Sequence, residues 1–305
     1  MSDQAKAAAT QDAWTVLRLL KWTTDFFRQR DSDTPRLDAE VLLAHALDCS
    51  RIELYTAFNS EPSGPQRQAF RELVKRRGEG VPVAYLVGHR EFYSLRLQVT
   101  PAVLIPRPET EHLVTLALDH AKALAATTTR PLRIADVGTG SGAIAIAIAK
   151  HLPTVYPGGC QITAIDLSSE ALAVAQANAQ EHQVGQIEFL LGDLLAPTPA
   201  EAVFDLVLSN PPYVSQSEFE ELPTTVRDHE PQLALLAGPT GTEVIARLIG
   251  EAAERLVAGG GLMIEFSPMI ADACGELFKA DGRYHEPKFT KDLAGHRRII
   301  SAIRR

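Results

Sequence analysis

The sequence predicts an α/β protein with a mostly parallel sheet covered by helices on both faces, an antiparallel last strand and a small N-terminal helical bundle. Three observations carry that prediction. From Leu132 onward, strand-like and helix-like segments alternate repeatedly, as crossover-connected parallel strands require. Up to about residue 80 no segment has strand character. The closing segments KFTKDLAG and RRIISAIRR read as a hairpin.

Taken in order, residues 1 to about 10 are small and polar, a loose tail. From Asp12 to Arg30, the apolar residues Trp14, Leu17, Leu20 and Phe27 recur at helical spacing. The turn RDSDTP ends that helix, and Pro35 then opens RLDAEVLLAHALD, at a position where a helix tolerates proline. RIELYTAF and SGPQRQAFRELVKRR give two further helices. Lys75, Arg76 and Arg77 form a basic helix end, a solvated terminus favoured by the helix dipole or a contact for an acidic partner. VPVAYLVG and EFYSLRLQVT hold aromatic and β-branched residues in partial alternation, as a β-hairpin does. PAVLIPRPETE, with three prolines, leads into the helix LVTLALDHAKALAA. The resulting division is a helical domain at 1–80, a β-hairpin linker at 81–106 and an α/β domain at 107–305.

In the α/β domain, LRIADVG is a strand and SGAIAIAIAKHL a helix. QITAID is a strand, and SSEALAVAQANAQEH is a helix capped by Ser168 or Ser169. IEFLLGD and FDLVLSN are strands, Thr242–Val257 a helix, GGLMIEFS a strand and Met269–Lys279 a helix.

Of 305 residues, 45% are hydrophobic and 22% charged, which suffices for a real core in a soluble protein. The net charge of −8 argues against a protein whose main task is gripping nucleic-acid backbone. Three scattered cysteines, Cys49, Cys160 and Cys274, match neither zinc nor disulfide spacing and suit a reducing cytosol. The N-terminus lacks the apolar core of a signal peptide, and no apolar run is long enough to span a membrane. A cytoplasmic location is expected.

Three strand ends carry the chemistry. In Asp136-Val137-Gly138-Thr139-Gly140-Ser141-Gly142 the glycines allow a tight turn and close approach of a ligand to the backbone. The spacing is neither the dinucleotide fingerprint nor a P-loop, and Asp136 suits a cationic ligand better than a phosphate. Asp166 ends the second strand, where a carboxylate can accept from both ribose hydroxyls. Asp193 ends the third and can reach an adenine amino group. Singly, such carboxylates are more often caps or turn residues. Together they describe a ligand with adenine, ribose and positive charge, S-adenosyl-L-methionine, with S-adenosyl-L-homocysteine as product.

The fourth strand ends in Asn210-Pro211-Pro212-Tyr213. Read alone, it is a strand stopped by a Pro-Pro turn. Beside a sulfonium cofactor it becomes a clamp for a planar NH2 group, whose delocalised lone pair makes it a poor nucleophile. The Asn210 side-chain oxygen and the Pro211 carbonyl can accept its N–H bonds, holding the nitrogen in line and stabilising developing positive charge. Tyr213 can lie against the flat face of the acceptor.

With both motifs in place, the chain resembles the class I methyltransferases with a Rossmann-like fold that act on planar amino groups. PRLDAEVLLAHAL, PVAYLVGHREFYSLRL, VLIPRPETE, DVGTGSGAIAIAIA, SNPPYV, RDHEPQLALLAG and DLAGHRR together resemble the PrmC/HemK family. The resemblance implies methylation of the glutamine side chain in the Gly-Gly-Gln motif of class 1 peptide chain release factors, with no membrane and no direct nucleic-acid contact. It implies a cofactor held by Gly138, Thr139, Gly140, Ser141, Gly142, Asp166, Leu194 (the residue after Asp193) and Asn210. It implies a substrate glutamine held by Asn210, Pro211, Pro212 and Tyr213, and an N-terminal helical domain that grips the release factor. Two positions depart from the family pattern. Leu194 stands where an aromatic is usual, and Glu265-Phe266-Ser267-Pro268 replaces a glycine-containing turn in which no catalytic group is expected. The competing readings are an adenine amino-group methyltransferase acting on DNA or RNA and a non-catalytic adaptor.

Overall fold

The computed structural model describes residues 13–30 and 32–305. The expected N-terminal tail, the helix start at Asp12 and Asp31 of the first turn lie outside these residues. The chain divides into two compact units, one ending at Gly88 and the other running from His89 to Arg305.

Among the described residues the first unit is wholly helical: α1 (Val16–Arg28), α2 (Pro35–Leu47), α3 (Arg51–Thr56), α4 (Gly64–Gly78) and α5 (Val83–Val87). Local sequence sets these boundaries. Thr15 caps α1, Pro35 takes the first turn of α2, and capping boxes built on Ser50 and Ser63 start α3 and α4. The apolar faces enclose a core of Val16, Leu20, Phe27, Leu42, Leu43, Leu54, Phe70 and Val74. Trp14 of the expected stripe lies outside it, 38% exposed. Buried Glu40 is held by Arg36 (2.6 Å), Arg51 (2.7 Å) and Tyr55 (2.6 Å), so its charge is paired rather than stranded. Arg77 is not a free member of the basic helix end: its Nε donates to Asp38 Oδ2 at 2.9 Å, leaving Lys75 and Arg76 exposed.

The strand expected across VPVAYLVG is instead α5. Pro82 precedes its first turn, Gly88 ends it at φ 79°, and Leu86 and Val87 are buried in the bundle core. Only the second half of the expected hairpin segment is β: β1 (His89–Phe92) pairs antiparallel with β2 (Leu95–Gln98). This hairpin packs on the α/β unit. Phe92 and Leu97 are buried there, and the Gln98 backbone is held at both N–H and C=O by the Asn178 side chain.

In the second unit α6 (Glu111–Leu124) leads to β3 (Leu132–Val137), α7 (Ala143–His151), β4 (Cys160–Asp166), α8 (Ser169–Glu181), β5 (Ile187–Leu191) and β6 (Phe204–Ser209). After two short strands, β7 (Val214–Ser215) and β8 (Leu236–Gly238), come α11 (Glu243–Arg255), β9 (Leu256–Glu265), α12 (Ala271–Asp281), β10 (Lys288–Lys291) and β11 (Arg297–Ile303); α9 (Gln216–Glu221) and α10 (Thr224–Arg227) lie between β7 and β8. The seven-stranded sheet has the order β10-β11-β9-β6-β3-β4-β5. β9 through β5 run parallel, β11 runs antiparallel to β9, and β10 antiparallel to β11. Every residue of the central strand β6 is buried. Its one charge, Asp205, takes a two-pronged ion pair from Arg130 (2.6 and 2.8 Å) and the Arg133 N–H. Cores lie on both faces of the sheet, and strand order reverses between β3 and β6, which opens a crevice at their C-terminal ends.

Candidate methyltransfer site

The turn after β3 is built by the neighbouring strand. The N–H groups of Gly138 and Thr139 both donate to the Ile165 carbonyl at 2.9 Å. Gly140 N–H donates to Asp166 Oδ2 at 2.8 Å, and Ser168 N–H to Oδ1 at 2.9 Å. Gly142 sits at φ +80°, and a Cβ there would come within 2.9 Å of Ile146 Cδ1 and 3.2 Å of Ala175 Cβ. Only glycine lets α7 start there and pack this tightly against α8. Burial pushes the Asp166 carboxyl up, and its backbone hydrogen bonds pull the other way. Each Asp166 oxygen has one backbone donor and keeps a lone pair for a ligand hydroxyl.

These groups edge a cleft of about 300 Å³. Gly138, Thr139, Gly140, Ser141, Asp166, Asp193, Leu194, Asn210 and Pro212 line it. Gly142, Asp136, Pro211 and Tyr213 do not. Gly142 supports the turn from behind. Pro211 is buried, and Tyr213 is partly buried with its ring against the core on the β9 side. Burial and the nearby Glu265 charge hold the Tyr213 phenol in its neutral form. Sequence reasoning missed several lining residues. Leu167 and Leu233 are each 53% exposed, an apolar surface left open inside a cleft. Arg247 donates to Asp193 Oδ2 at 2.7 Å, so that carboxylate already has a partner. Arg107 reaches buried Glu230 at 2.6 Å, and Glu230 also takes the Ile105 N–H at 3.2 Å. That carboxylate ties the proline-rich segment to the 227–231 loop, and both segments line the cleft.

Asp136 lies behind the turn rather than in the cleft. It is fully buried; Oδ2 accepts from Thr139 Oγ1 (2.6 Å) and Ala145 N–H (3.1 Å), and Oδ1 has no partner. Burial raises its pKa from 3.8 to about 6 against those hydrogen bonds. Ionising it therefore costs the folded state, a cost absent below about pH 4 and complete above about pH 6. Asp136→Asn removes that cost. Calorimetric melting should show the variant gaining on the native protein between pH 4 and pH 8, and a constant difference would refute this account.

Asn210 stands at the end of β6, where Ser209 Oγ donates to the Val137 carbonyl at 2.7 Å and fixes β6 to β3. Asn210 Nδ2 donates to Thr110 Oγ1 at 3.1 Å. Its Oδ1 is buried without a partner. The amide is anchored by one end and unsatisfied at the other, beside the cleft.

The chain matches the PrmC N-terminal domain model over residues 18–88 and the methyltransferase small domain model over residues 117–226. It is 55% identical over 289 residues to the release factor glutamine methyltransferase of Rhodopirellula baltica, covering 94% of this chain and 96% of that one. This chain belongs to the release factor glutamine methyltransferase family. Family members from Koribacter versatilis (39% identical, 88% of this chain, 91% of that one) and Chlorobaculum tepidum (40%, 88% and 89%) align with comparable reach. In fold it is similar to the 16S rRNA N2 G1207 methyltransferase of Thermus thermophilus, solved with AdoMet and guanosine. The TM-score is 0.51 at 16% identity, over 71% of this chain and 50% of that one.

The enzyme is S-adenosylmethionine-dependent, and the cleft fits that group. Asp166 retains acceptor capacity for hydroxyls, Leu167 and Leu233 offer apolar surface, and the glycine turn leaves the backbone bare. Leu194, at φ 48° and 8% exposed, contributes an aliphatic wall in place of an aromatic face. Among the described residues no helix is long and apolar enough to cross a membrane.

Proposed function

We propose that this enzyme methylates the side-chain amide nitrogen of the glutamine in the Gly-Gly-Gln motif of class 1 peptide chain release factors. The observation that carries the site assignment is the unpartnered Asn210 Oδ1 beside the cleft. A buried amide oxygen with no donor costs about 1–3 kcal/mol, and an incoming amide N–H removes that cost. Bound S-adenosylmethionine supplies an activated methyl on a cationic sulfonium. Asp166 and the Gly138–Gly142 turn would hold the cofactor, together with Asp193 and Leu194 of the same cleft. Asn210 Oδ1 would accept one amide N–H, and the Pro211 backbone carbonyl, whose residue lies behind the cleft wall, would have to turn toward the cleft to accept the other, aligning the nitrogen and stabilising positive charge on it. Pro212 shapes the wall, and Tyr213 backs the acceptor from the core side. No strong base is required, because the proton becomes acidic once the nitrogen carries the methyl.

We further assign release-factor recognition to the N-terminal helical unit, which extends past the expected boundary at 80 to Gly88, linkage to the hairpin segment that follows and catalysis to 107–305, in the cytoplasm and without direct nucleic-acid contact. Lys75 and Arg76 are available for an acidic partner. The rival reading, an adenine amino group as acceptor, would use the same Asn210 chemistry. The experiment offers labelled S-adenosylmethionine with a release factor, with that factor after replacement of its motif glutamine, and with duplex DNA. Label should enter only the intact release factor. Label in DNA alone would establish the rival, and label in the altered factor would move the acceptor elsewhere.

A further inference from the structure

The wall of the cleft beyond Asp166 is a turn that leucine does not favour. After β5, the Ala196 N–H donates to the Asp193 carbonyl at 3.1 Å and closes a tight turn. Leu194 sits inside it at φ 48°. A bulky side chain is rarely found in that left-handed region, so contacts from outside the turn must hold it there. Glycine or asparagine would fit the turn without strain. Gly192, Asp193 and Leu194 all line the cleft.

The hold comes from one face of α11. Arg247, Glu251 and Arg255 follow at four-residue spacing and so share a face of the helix. Arg247 donates to Asp193 Oδ2 at 2.7 Å. Glu251 Oε2 accepts from the Leu195 N–H at 3.0 Å, and its Oε1 lies 3.6 Å from Arg247. Arg255 donates to the Pro199 carbonyl at 2.8 Å and to the Ala200 carbonyl. Successive turns of the helix thus grip the loop from Asp193 to Ala200. The helix is a firm base, because Ile245, Leu248, Ile249 and Ala252 are at most 2% exposed and belong to the core. Of the three gripping side chains, Arg247 reaches the cleft and lines it.

We propose that Arg247 and Glu251 are positioning residues for the cofactor: they hold the 193–195 turn in the strained form that sets Asp193 and Leu194 on the cleft wall. This role rests on the cofactor lying in the cleft, as set out under Proposed function. The two contribute unequally. The Arg247 and Asp193 side chains are 53% and 48% exposed, and ion pairs so open to water stabilise little. Glu251 is more sheltered and satisfies a backbone N–H with a charged acceptor. Glu251 is therefore the main holder of the turn, and Arg247 fixes the direction of the Asp193 carboxylate. Released from Glu251, Leu194 relaxes to negative φ and its side chain leaves the wall.

The test measures S-adenosylhomocysteine affinity by titration calorimetry, and methyl transfer to a release factor at saturating S-adenosylmethionine. Glu251→Ala should weaken S-adenosylhomocysteine binding about tenfold or more, as loss of a hydrogen bond to a charged group does. Its rate at saturating cofactor should stay within about threefold of native. Glu251→Gln keeps an acceptor oxygen and should restore most of the affinity. Arg247→Ala should weaken binding less, by about two- to fivefold. Leu194→Gly takes positive φ without help, so adding Glu251→Ala in that background should weaken binding by no more than about threefold. Asp166→Ala is the control for the site: unchanged affinity there would remove the cofactor from this cleft altogether. If Asp166→Ala binds poorly, three results overturn the clamp alone: native affinity in Glu251→Ala, a loss in Glu251→Gln as large as in Glu251→Ala, or an equal loss from Glu251→Ala in the native and Leu194→Gly backgrounds.

Discussion

Replacing Asn210 with alanine should lower single-turnover methyl transfer by roughly 10²–10³-fold, the range for loss of one preorganised polar group acting on developing charge. S-adenosylhomocysteine should still bind within a few-fold of native affinity. The proposed polar anchors of the cofactor, Asp166 and the glycine turn, are held by β3, β4 and their own backbone hydrogen bonds, without help from the Asn210 side chain. The alanine leaves Thr110 without its Nδ2 donor, a single neutral hydrogen bond, so the fold should survive. Asn210→Asp sharpens the test. A carboxylate still accepts hydrogen bonds but has no N–H for Thr110, and it adds a second buried charge near Glu265. It should be nearly as poor as alanine. Rapid-quench turnover with titration calorimetry separates the two steps. A variant that keeps its rate, or one that loses rate only by losing cofactor, would refute the acceptor role.

Much of this site was legible because strand ends announce themselves. The run from Leu132 to Val137 followed by three glycines, and the halt of β6 at two prolines, are local signals that no packing could overrule. Other features depended on long-range contacts. VPVAYLVG carries the β-branched and aromatic residues of a strand, yet Leu86 and Val87 find more burial as one helical turn against the bundle. AIAIAIA in α7 has the two-residue period of a strand, yet its place in the strand–helix alternation already marks it as a helix, and it is one, with both faces buried between sheet and neighbouring helices. Asp136 was expected at a cationic ligand; that it lies behind the turn follows from Thr139 and Ala145 claiming it, which spacing alone does not show. Thr110 and Glu230 lie 100 and 20 residues from Asn210 in the chain, so only the fold could bring their contacts into view. The proline-rich segment was specific as a motif, but its function emerges once Thr110 is seen to hold Asn210, and Arg107 to meet Glu230.

Asp166→Ala should abolish useful cofactor affinity, weakening S-adenosylhomocysteine binding by about 100-fold or more. Hydrogen bonds to a charged group contribute about 1.5–3 kcal/mol each, and this carboxylate serves two purposes at once. Its free lone pairs face the cleft, where ligand hydroxyls would donate. Its other lone pairs receive Gly140 N–H and Ser168 N–H, so it also latches the glycine turn to the start of α8. Alanine would remove the ligand contacts and leave two backbone donors unmatched, loosening the surface that the cofactor must lie on. Asp166→Asn discriminates between these contributions. One end of an amide can still accept, but its NH2 must face either Gly140 N–H or Ser168 N–H, donor against donor. The asparagine variant should therefore bind closer to alanine than to native. If a ligand contact alone mattered, asparagine would retain about half of the binding free energy lost in alanine. Near-native affinity in Asp166→Asn would show that the latch is dispensable and that the turn is held by Ile165 and its own glycines.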